Sequence, residues 1–447
     1  MKQLIFLALM TFGFSFKALT AQPFWAVALY WMWAVLAPPA LWNWALSPYP
    51  DMRWSLIAAA VSVGALVLRW GSLDKPKVHP NYVILVLAFG LCILGSYALA
   101  QNREVAGDSS WDYTKIIIMM LVSAMLVTEP RHIRVLSMII FLSLIYIIYT
   151  INYEYVIEGR LNIMLSGFAG LDNNGTGLRV ALVLPFCYYL FLAEHRWWRW
   201  GYLLCLLPVA HAVMLTYSRG AMLSSILAGA GMVLFTKRHR FKTMGVAMAF
   251  GLLILAMAGP EIQNRFKTLE HTDEDESAQS RYASWKAGIK LASDYPIFGV
   301  GPRNSNLFLQ HYGADMKGRT VHNLLIQMTA DCGYLCVLIY LAMYFSAMVW
   351  AWKGAAALKN YTTREQRWQH NLSLACFWSL GLFFVGSIFL SLETFEPPYL
   401  LILMAATSPR LAYDLNQSPL EGEPIDETIN SETVPEAEVV SATEAVS

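Results

Sequence analysis

Charge is scarce in this sequence. Asp, Glu, Lys and Arg make up 14% of its 447 residues, against about 25% in a typical soluble domain. A chain that is 57% hydrophobic cannot cover an apolar core with a polar surface of ordinary size, so it reads as an integral membrane protein. The net charge of +1 provides no large basic patch and excludes a nucleic-acid-binding surface as an organising feature. The six cysteines (Cys92, Cys187, Cys205, Cys332, Cys336 and Cys376) lie scattered through apolar runs. None forms a CxxC, which excludes a disulfide framework and a cysteine zinc site. Cys332 and Cys336 stand one helical turn apart and are expected to pack. Carboxylates do not cluster at metal-ligand spacing, so the sequence calls for no metal and no cofactor. No internal repeat marks a transporter built of two related halves.

What the sequence has in abundance is apolar runs of spanning length, which is roughly 20 residues for a helix. They lie near residues 3–19, 22–46, 54–70, 82–100, 114–128, 133–152, 178–194, 198–216, 220–236, 243–258, 333–352, 371–391 and 398–410. The expected fold is an all-α polytopic membrane protein with about 12–13 transmembrane helices. Trp and Tyr gather at segment ends, as in "HRWWRWGY" and "MVWAW", in the manner of interfacial belts. The first segment resembles a signal peptide, with a basic start and small residues near Ala21. The chain stays hydrophobic immediately afterwards, which favours a retained span.

Orientation follows from Lys and Arg in short loops. "LDKPKVHP" (73–80), "EPRHIR" (129–134), "EHRWWRW" (194–200), "KRHRFK" (237–242) and "KGAAALKNYTTREQR" (353–367) are basic and alternate correctly with the spans. They are assigned to the cytoplasm, and Lys2 alone fits this poorly. The intervening segments then face outwards, including a long loop, 259–321. Residues 1–410 read as one membrane domain. Residues 411–447 are acidic, without Lys or Arg, and read as a disordered cytoplasmic tail.

Polar residues outside the membrane concentrate in a few places. In "TYSRGAML", Arg219 opens a span at its outer end. It is either a snorkelling anchor or part of a site, and the positive-inside bias makes an outward arginine less expected. In "GLDNNGTGLR", Asp172, Asn173 and Asn174 are good caps, the glycines permit close approach, and Arg179 enters the next span. The bland reading is a capped loop. In the long loop the acidic run 273–276 reads as a solvated face. From Arg281 the spacing turns helical, placing Tyr282, Trp285, Ile289 and Ala292 on one face of an amphipathic helix at the membrane surface, with Ser277 and Ser280 as caps. "DYPIFGVGP" ends it in a tight turn. His322 then begins an apolar helix, with Arg319 and Asn323 beside it. A lone histidine there is commonly an interfacial residue. Its company of outward arginines, Arg219, Arg265, Arg281 and Arg319, suits a polyanionic, phosphorylated ligand.

These segments resemble the O-antigen ligase and polymerase superfamily of bacterial envelope glycan assembly, and within it the O-glycosylation ligases associated with exosortase systems. The resemblance rests on "LDNNGTGLRVALVLPF" (171–186), "TYSRGAML" (216–223), "NRFKTL" (264–269), "EDESAQSRYASWKAGIKLASDYPIFGVGP" (274–302) and "VHNLLIQMTADCGYL" (321–335), in that order. It implies a GT-C-like helical fold. It further implies metal-independent transfer of an oligo- or polysaccharide from an undecaprenyl-diphosphate carrier to a glycan, lipid or protein acceptor, at the periplasmic face of the inner membrane. His322, Arg219 and Arg281 would carry the catalysis. Arg265, Asn173, Asn174, Arg179, Arg319 and Asn323 would bind substrate. A polymerase of the same superfamily and a transporter of lipid-linked glycans are the alternatives. The sequence departs from the resemblance at "DNNGTGLR", where relatives continue with apolar residues, and at Asp331 and Cys332, where a Glu-Gly turn is usual.

Overall fold

A computed structural model describes residues 2–47, 52–159, 163–235, 240–257, 276–315, 318 and 320–417. Among these residues the structure is helical, with a single isolated bridge between Phe168 and Leu171. The longer helices are α1 (Lys2–Thr20), α2 (Phe24–Leu36), α3 (Trp54–Leu68), α4 (Pro80–Ala98), α5 (Arg103–Leu126), α6 (Pro130–Tyr153), α7 (Asn173–Ala181) and α8 (Leu184–Ala193). They continue with α9 (Arg199–Leu204), α10 (Leu206–Leu215), α11 (Arg219–Phe235), α12 (Arg240–Met257), α13 (Glu276–Asp294), α14 (Leu324–Ala357), α15 (Arg364–Ser387) and α16 (Glu396–Gln417).

Local chemistry sets many of the boundaries. Proline opens α4 and α6, where its missing N–H costs nothing. The side chain of Asn102 caps α5 by accepting from the amides of Glu104 and Val105. Thr363 and Gln366 form a reciprocal capping box at the start of α15. Two proline-bearing stretches interrupt crossings, so that α7–α8 and α9–α10 are each broken in two.

Six helices among the described residues are long and apolar enough to cross a membrane. This is fewer than the twelve or thirteen runs of the sequence, and the shortfall has a physical cause. The stretches 54–68, 199–215 and 219–235 are short, and the 103–126 helix carries Arg103, Glu104, Asp108, Asp112 and Lys115 before it turns apolar. The protein is a multi-pass membrane bundle on this evidence. Its outer surface is apolar where water would not tolerate it: Leu9, Phe12, Phe16, Val67, Leu68, Leu91 and Leu94 are all exposed.

The bundle has two distinct ends. At one end Arg134 pairs with Glu365 at 2.6 Å and Lys77 with Asp414 at 2.6 Å. There too, Arg367 donates to the Leu192 and Glu194 carbonyls. Four of the five basic loops therefore meet at one end. The fifth, 237–242, falls largely outside the described residues. The final helix passes the expected boundary at 410 and runs to Gln417, held by the Lys77 pair and by Asn416 donating to the Ala357 carbonyl. Residues 418–447 lie outside the described residues.

The opposite end carries the candidate site. There α14 is broken at Gly333, whose backbone sits at φ 84. The "DYPIFGVGP" turn is laid against this break. Val300 and Gly301 donate to the carbonyls of Ala330 and Asp331, and Tyr334 donates to that of Pro296. Gly299 and Gly333 allow this approach, because a Cβ at either would collide with the facing main chain. α13 begins at Glu276, five residues earlier than the spacing placed it, and Ser280 bonds the Asp315 carboxylate across the loop. Its protein-packed face is built mostly of small residues. Ser284, Ala287, Gly288 and Leu291 are buried, whereas Tyr282 and Ile289 are exposed. The reason is close packing. Gly288 faces Val321 and Ile326, and a Cβ there would stand 2.8 Å from Ile326 Cγ2. Small residues win the protein contact, and the larger apolar ones are left on the outside.

Candidate functional site

Three short segments build the site: the Asn173 loop, the turn before Arg219 and the stretch around His322. Asp172 caps α7 by accepting from the Gly175 amide at 2.7 Å. Asn173 and Asn174 therefore start a helix instead of lying in a loop. Asn173 Nδ2 donates to the Thr216 carbonyl at 3.1 Å, and Ser218 Oγ donates to Asn174 Oδ1 at 3.0 Å. Both asparagines thus fasten the turn that presents Arg219. Gly177 lets the two segments close, since a Cβ there would lie 2.7 Å from Thr216 Oγ1. Arg219, half-buried, is the first residue of α11.

His322 stands just before α14, which begins at Leu324. Asn323 is the cap, its Oδ1 accepting from the amides of Leu325 at 3.0 Å and Ile326 at 3.1 Å. The Asn323 side chain is committed to the helix and positions its neighbour. His322 Nε2 is 3.2 Å from Thr320 Oγ1. Beneath it lies a buried polar network. Gln327 Oε1 accepts from the Val321 amide at 2.9 Å, and Gln327 Nε2 donates to Ser305 Oγ at 2.6 Å and to Asp331 Oδ2 at 2.8 Å. Asp331 Oδ1 in turn accepts from the Ser305 amide at 2.8 Å. A buried network with its members satisfied is rigid, so the backbone entering His322 is held in place.

The 388–395 connection between α15 and α16 ties these parts together. Ser391 Oγ donates to Gln327 Oε1 at 3.2 Å, and Phe389 packs on Gly220. Arg219 and His322 therefore flank one loop at one end of the bundle. Arg281 lies on α13 one and two turns before Trp285 and Gly288 along the stripe that meets Val321 and Ile326. This brings it to the same side as His322.

The Arg179 side chain is buried, donating to the carbonyls of Ala169 at 3.3 Å and Val35 at 3.5 Å, with Phe395 beneath the guanidinium. Main-chain acceptors thus engage two of its guanidinium nitrogens, while Nε is buried with no hydrogen-bond partner among the described residues. Arg265 and Arg319 lie outside the described residues.

Sequence reasoning passed over Gln327, Arg303 and Glu393. Gln327 and Asp331 sit at i,i+4 in an apolar run, which is a legible polar stripe. Glu393 carried no such signal. It is buried, and its Oε1 meets no hydrogen-bond partner among the described residues. Burial foremost, and then the neighbouring Asp331 charge, push its carboxyl from 4.5 up to about 7, while Arg303 pulls the other way.

Backbone strain marks the same end. Among the described residues the non-glycine positions with positive φ are Ala37, Ala169, Tyr217, Arg303 and His322. Each costs on the order of 1–3 kcal/mol, and such strain gathers at functional sites. One is His322 itself, and Tyr217 lies two residues before Arg219. Among the described residues no group of three His, Cys, Asp or Glu side chains is placed to hold a metal ion.

The fold is that of a multi-pass membrane protein, with Arg219, Arg281 and His322 as candidate site residues at the end remote from its basic loops. A family model described as O-antigen ligase matches residues 203–341 of this chain. The match encloses Arg219, Arg281 and His322 and supports a likeness to the O-antigen ligase superfamily. No curated protein matches the chain.

Proposed function

We propose that the protein transfers an oligo- or polysaccharide from undecaprenyl diphosphate to an acceptor hydroxyl at the periplasmic face of the bacterial inner membrane. The observation that carries this reading is the gathering of Arg219, Arg281 and His322 at one end of the bundle, inside the segment matched by the O-antigen ligase family. The acceptor oxygen attacks the anomeric carbon from the face opposite the leaving group. The C1–O bond to the diphosphate breaks, and its electron pair leaves with the lipid diphosphate. The attack inverts the anomeric centre. His322 takes the acceptor proton. Arg219 and Arg281 stabilise the charge that develops on the departing diphosphate, as fixed donors do most effectively in a partly dry site. No metal is required, since the leaving group arrives activated and the arginines supply its counter-charge.

A polymerase uses the same residues and differs only in its acceptor, another lipid-linked unit. An exosortase-linked O-glycosylation ligase would use a protein acceptor. A transporter of lipid-linked glycans would carry its ionisable groups nearer mid-membrane, whereas Arg219 and His322 lie at helix starts at one end. The deciding experiment is transfer by purified protein from native undecaprenyl-diphosphate glycan to a panel of protein, lipid and glycan acceptors, with a chelator arm. Transfer to protein or lipid makes it a ligase, and chain growth on the carrier makes it a polymerase. Movement of glycan lipid across proteoliposomes without any transfer refutes the enzyme reading.

A further inference from the structure

A cavity of about 670 Å³ opens at the same end of the bundle between α2, α3 and α5. Three indoles line it: Trp33, Trp54 and Trp111. An interfacial aromatic belt accounts for Trp111, which is 46% exposed. It does not account for Trp33 and Trp54, which are 1% and 7% exposed and turned in from the lipid. Trp33 spends its N–H on Thr11 Oγ1 at 3.3 Å. The buried N–H of Trp54 meets no acceptor among the described residues. A buried donor left without an acceptor is costly, and here it belongs to the wall of a cavity.

The charges of the lining are mixed. Asp108, Asp112 and Glu396 face Arg53 and Lys115. Lys115 lies between Asp112 and Glu396 at 3.4 Å from each. Asp108 and Arg53 are exposed and make no ion pair among the described residues. Three carboxylates against two cations repel a diphosphate. They suit hydroxyl groups, which donate to carboxylates and accept from Arg N–H groups. The exposed Trp111 indole adds apolar surface for the C–H side of a sugar ring.

Two segments link the cavity to the candidate site. The loop that links Gln327 through Ser391 continues to Glu396 in the cavity wall. Gly170, beside the Asn173 segment, packs on Ala40, another wall residue, with a prospective Cβ contact of 3.0 Å.

We propose that this cavity is a saccharide-binding subsite for neutral or amino-sugar pyranose chains, holding glycan while the arginine site holds diphosphate. The subsite's place in catalysis rests on the glycan-transfer reading; its ability to bind sugar does not. The ligand is either the donor chain or a glycan-bearing acceptor.

The test uses the full chain in detergent, wild type beside Arg53→Gln, Trp111→Ala and Asp108→Asn. The probe is oligosaccharide released by mild acid from the producing cell's lipid-linked glycan, followed by saturation-transfer NMR. Wild type is expected to bind it, and each variant to bind on the order of tenfold more weakly at unchanged Tm. Trp111→Ala and Asp108→Asn act at exposed positions and so guard against loss of fold. In parallel, KM is measured for donor and for acceptor separately. A rise in KM for the donor assigns the donor chain, and a rise for the acceptor assigns the acceptor. Loss of transfer chemistry with variant-sensitive sugar binding intact would sink the enzyme reading and leave the subsite standing. Failure of wild type to bind the oligosaccharide, or equal binding by all variants, overturns the subsite.

Discussion

Arg219, Arg281 and His322 are expected to separate activity from stability. Arg219→Ala should lower transfer about 10²–10³-fold, as loss of a fixed charge-stabilising donor does, and His322→Ala about 10²–10⁴-fold, as loss of a general base does. Arg219 and His322 are only half-buried, so the Tm of each purified variant should stay near wild type, and a variant with near-normal kcat/KM removes that residue from the mechanism. Glu393 gives a pH signature of a different kind. Its carboxyl is raised from 4.5 to about 7 in the fold by burial, so the native state holds a proton that the unfolded chain has released. Stability from this group is full below about pH 4.5 and is lost as pH rises towards 7. Glu393→Gln should therefore flatten the wild-type decline in Tm across that window. A parallel decline in both proteins would show that Glu393 is not its source.

Individual helices depend on a few contacts whose loss is measurable. Gly288 holds α13 against the start of α14, and Gly288→Val forces a branched side chain onto Ile326 and Val321. Overpacking of this kind costs about 1–3 kcal/mol. Amide exchange should quicken along Glu276–Asp294 while α15 and α16 stay protected; unchanged exchange would mean α13 is held by other contacts. Asn323→Ala removes the cap of α14, a loss of about 0.5–2 kcal/mol, and should also lower activity by loosening its neighbour His322. Substitution by Asp, which caps as well, should restore the stability. The α13 helix was legible from its spacing, but its inward face was not. Tyr282 and Ile289 suggest an apolar side by hydrophobicity, yet contact area with α14 is set by how near two backbones can come, which Ala287 and Gly288 decide.

For the molecule as a whole, the two ends define a sidedness that is open to labelling. The native cysteines give little background, since five of the six are buried and Cys205 is partly so. Cysteines introduced at Glu104 and His311, exposed at the site end, should react with an impermeant maleimide from the periplasm. One at Arg196, exposed at the basic end, should react only after permeabilisation. The reverse pattern would invert the protein and put the proposed site in the cytoplasm. The basic loops foretold this separation, because Lys and Arg near span ends are a local property. Crossings were harder to read, since breaks such as those between α7 and α8 depend on neighbours that resatisfy the freed backbone groups.

The sequence by itself determined a helical membrane protein, the grouping of its basic loops, and the candidacy of Arg219, Arg281 and His322, because hydropathy, charge and short motifs act over a few residues. Only the tertiary structure decided that Arg179 is buried among carbonyls, that Asn173, Asn174 and Asn323 fasten the segments bearing the charged residues, and that Glu393 Oε1 meets no hydrogen-bond partner among the described residues. It alone assembled an indole-lined cavity from Trp33, Trp54 and Trp111. Burial and hydrogen-bond pairing depend on which distant segments come together, as when Ser391 reaches Gln327, and no local pattern records that.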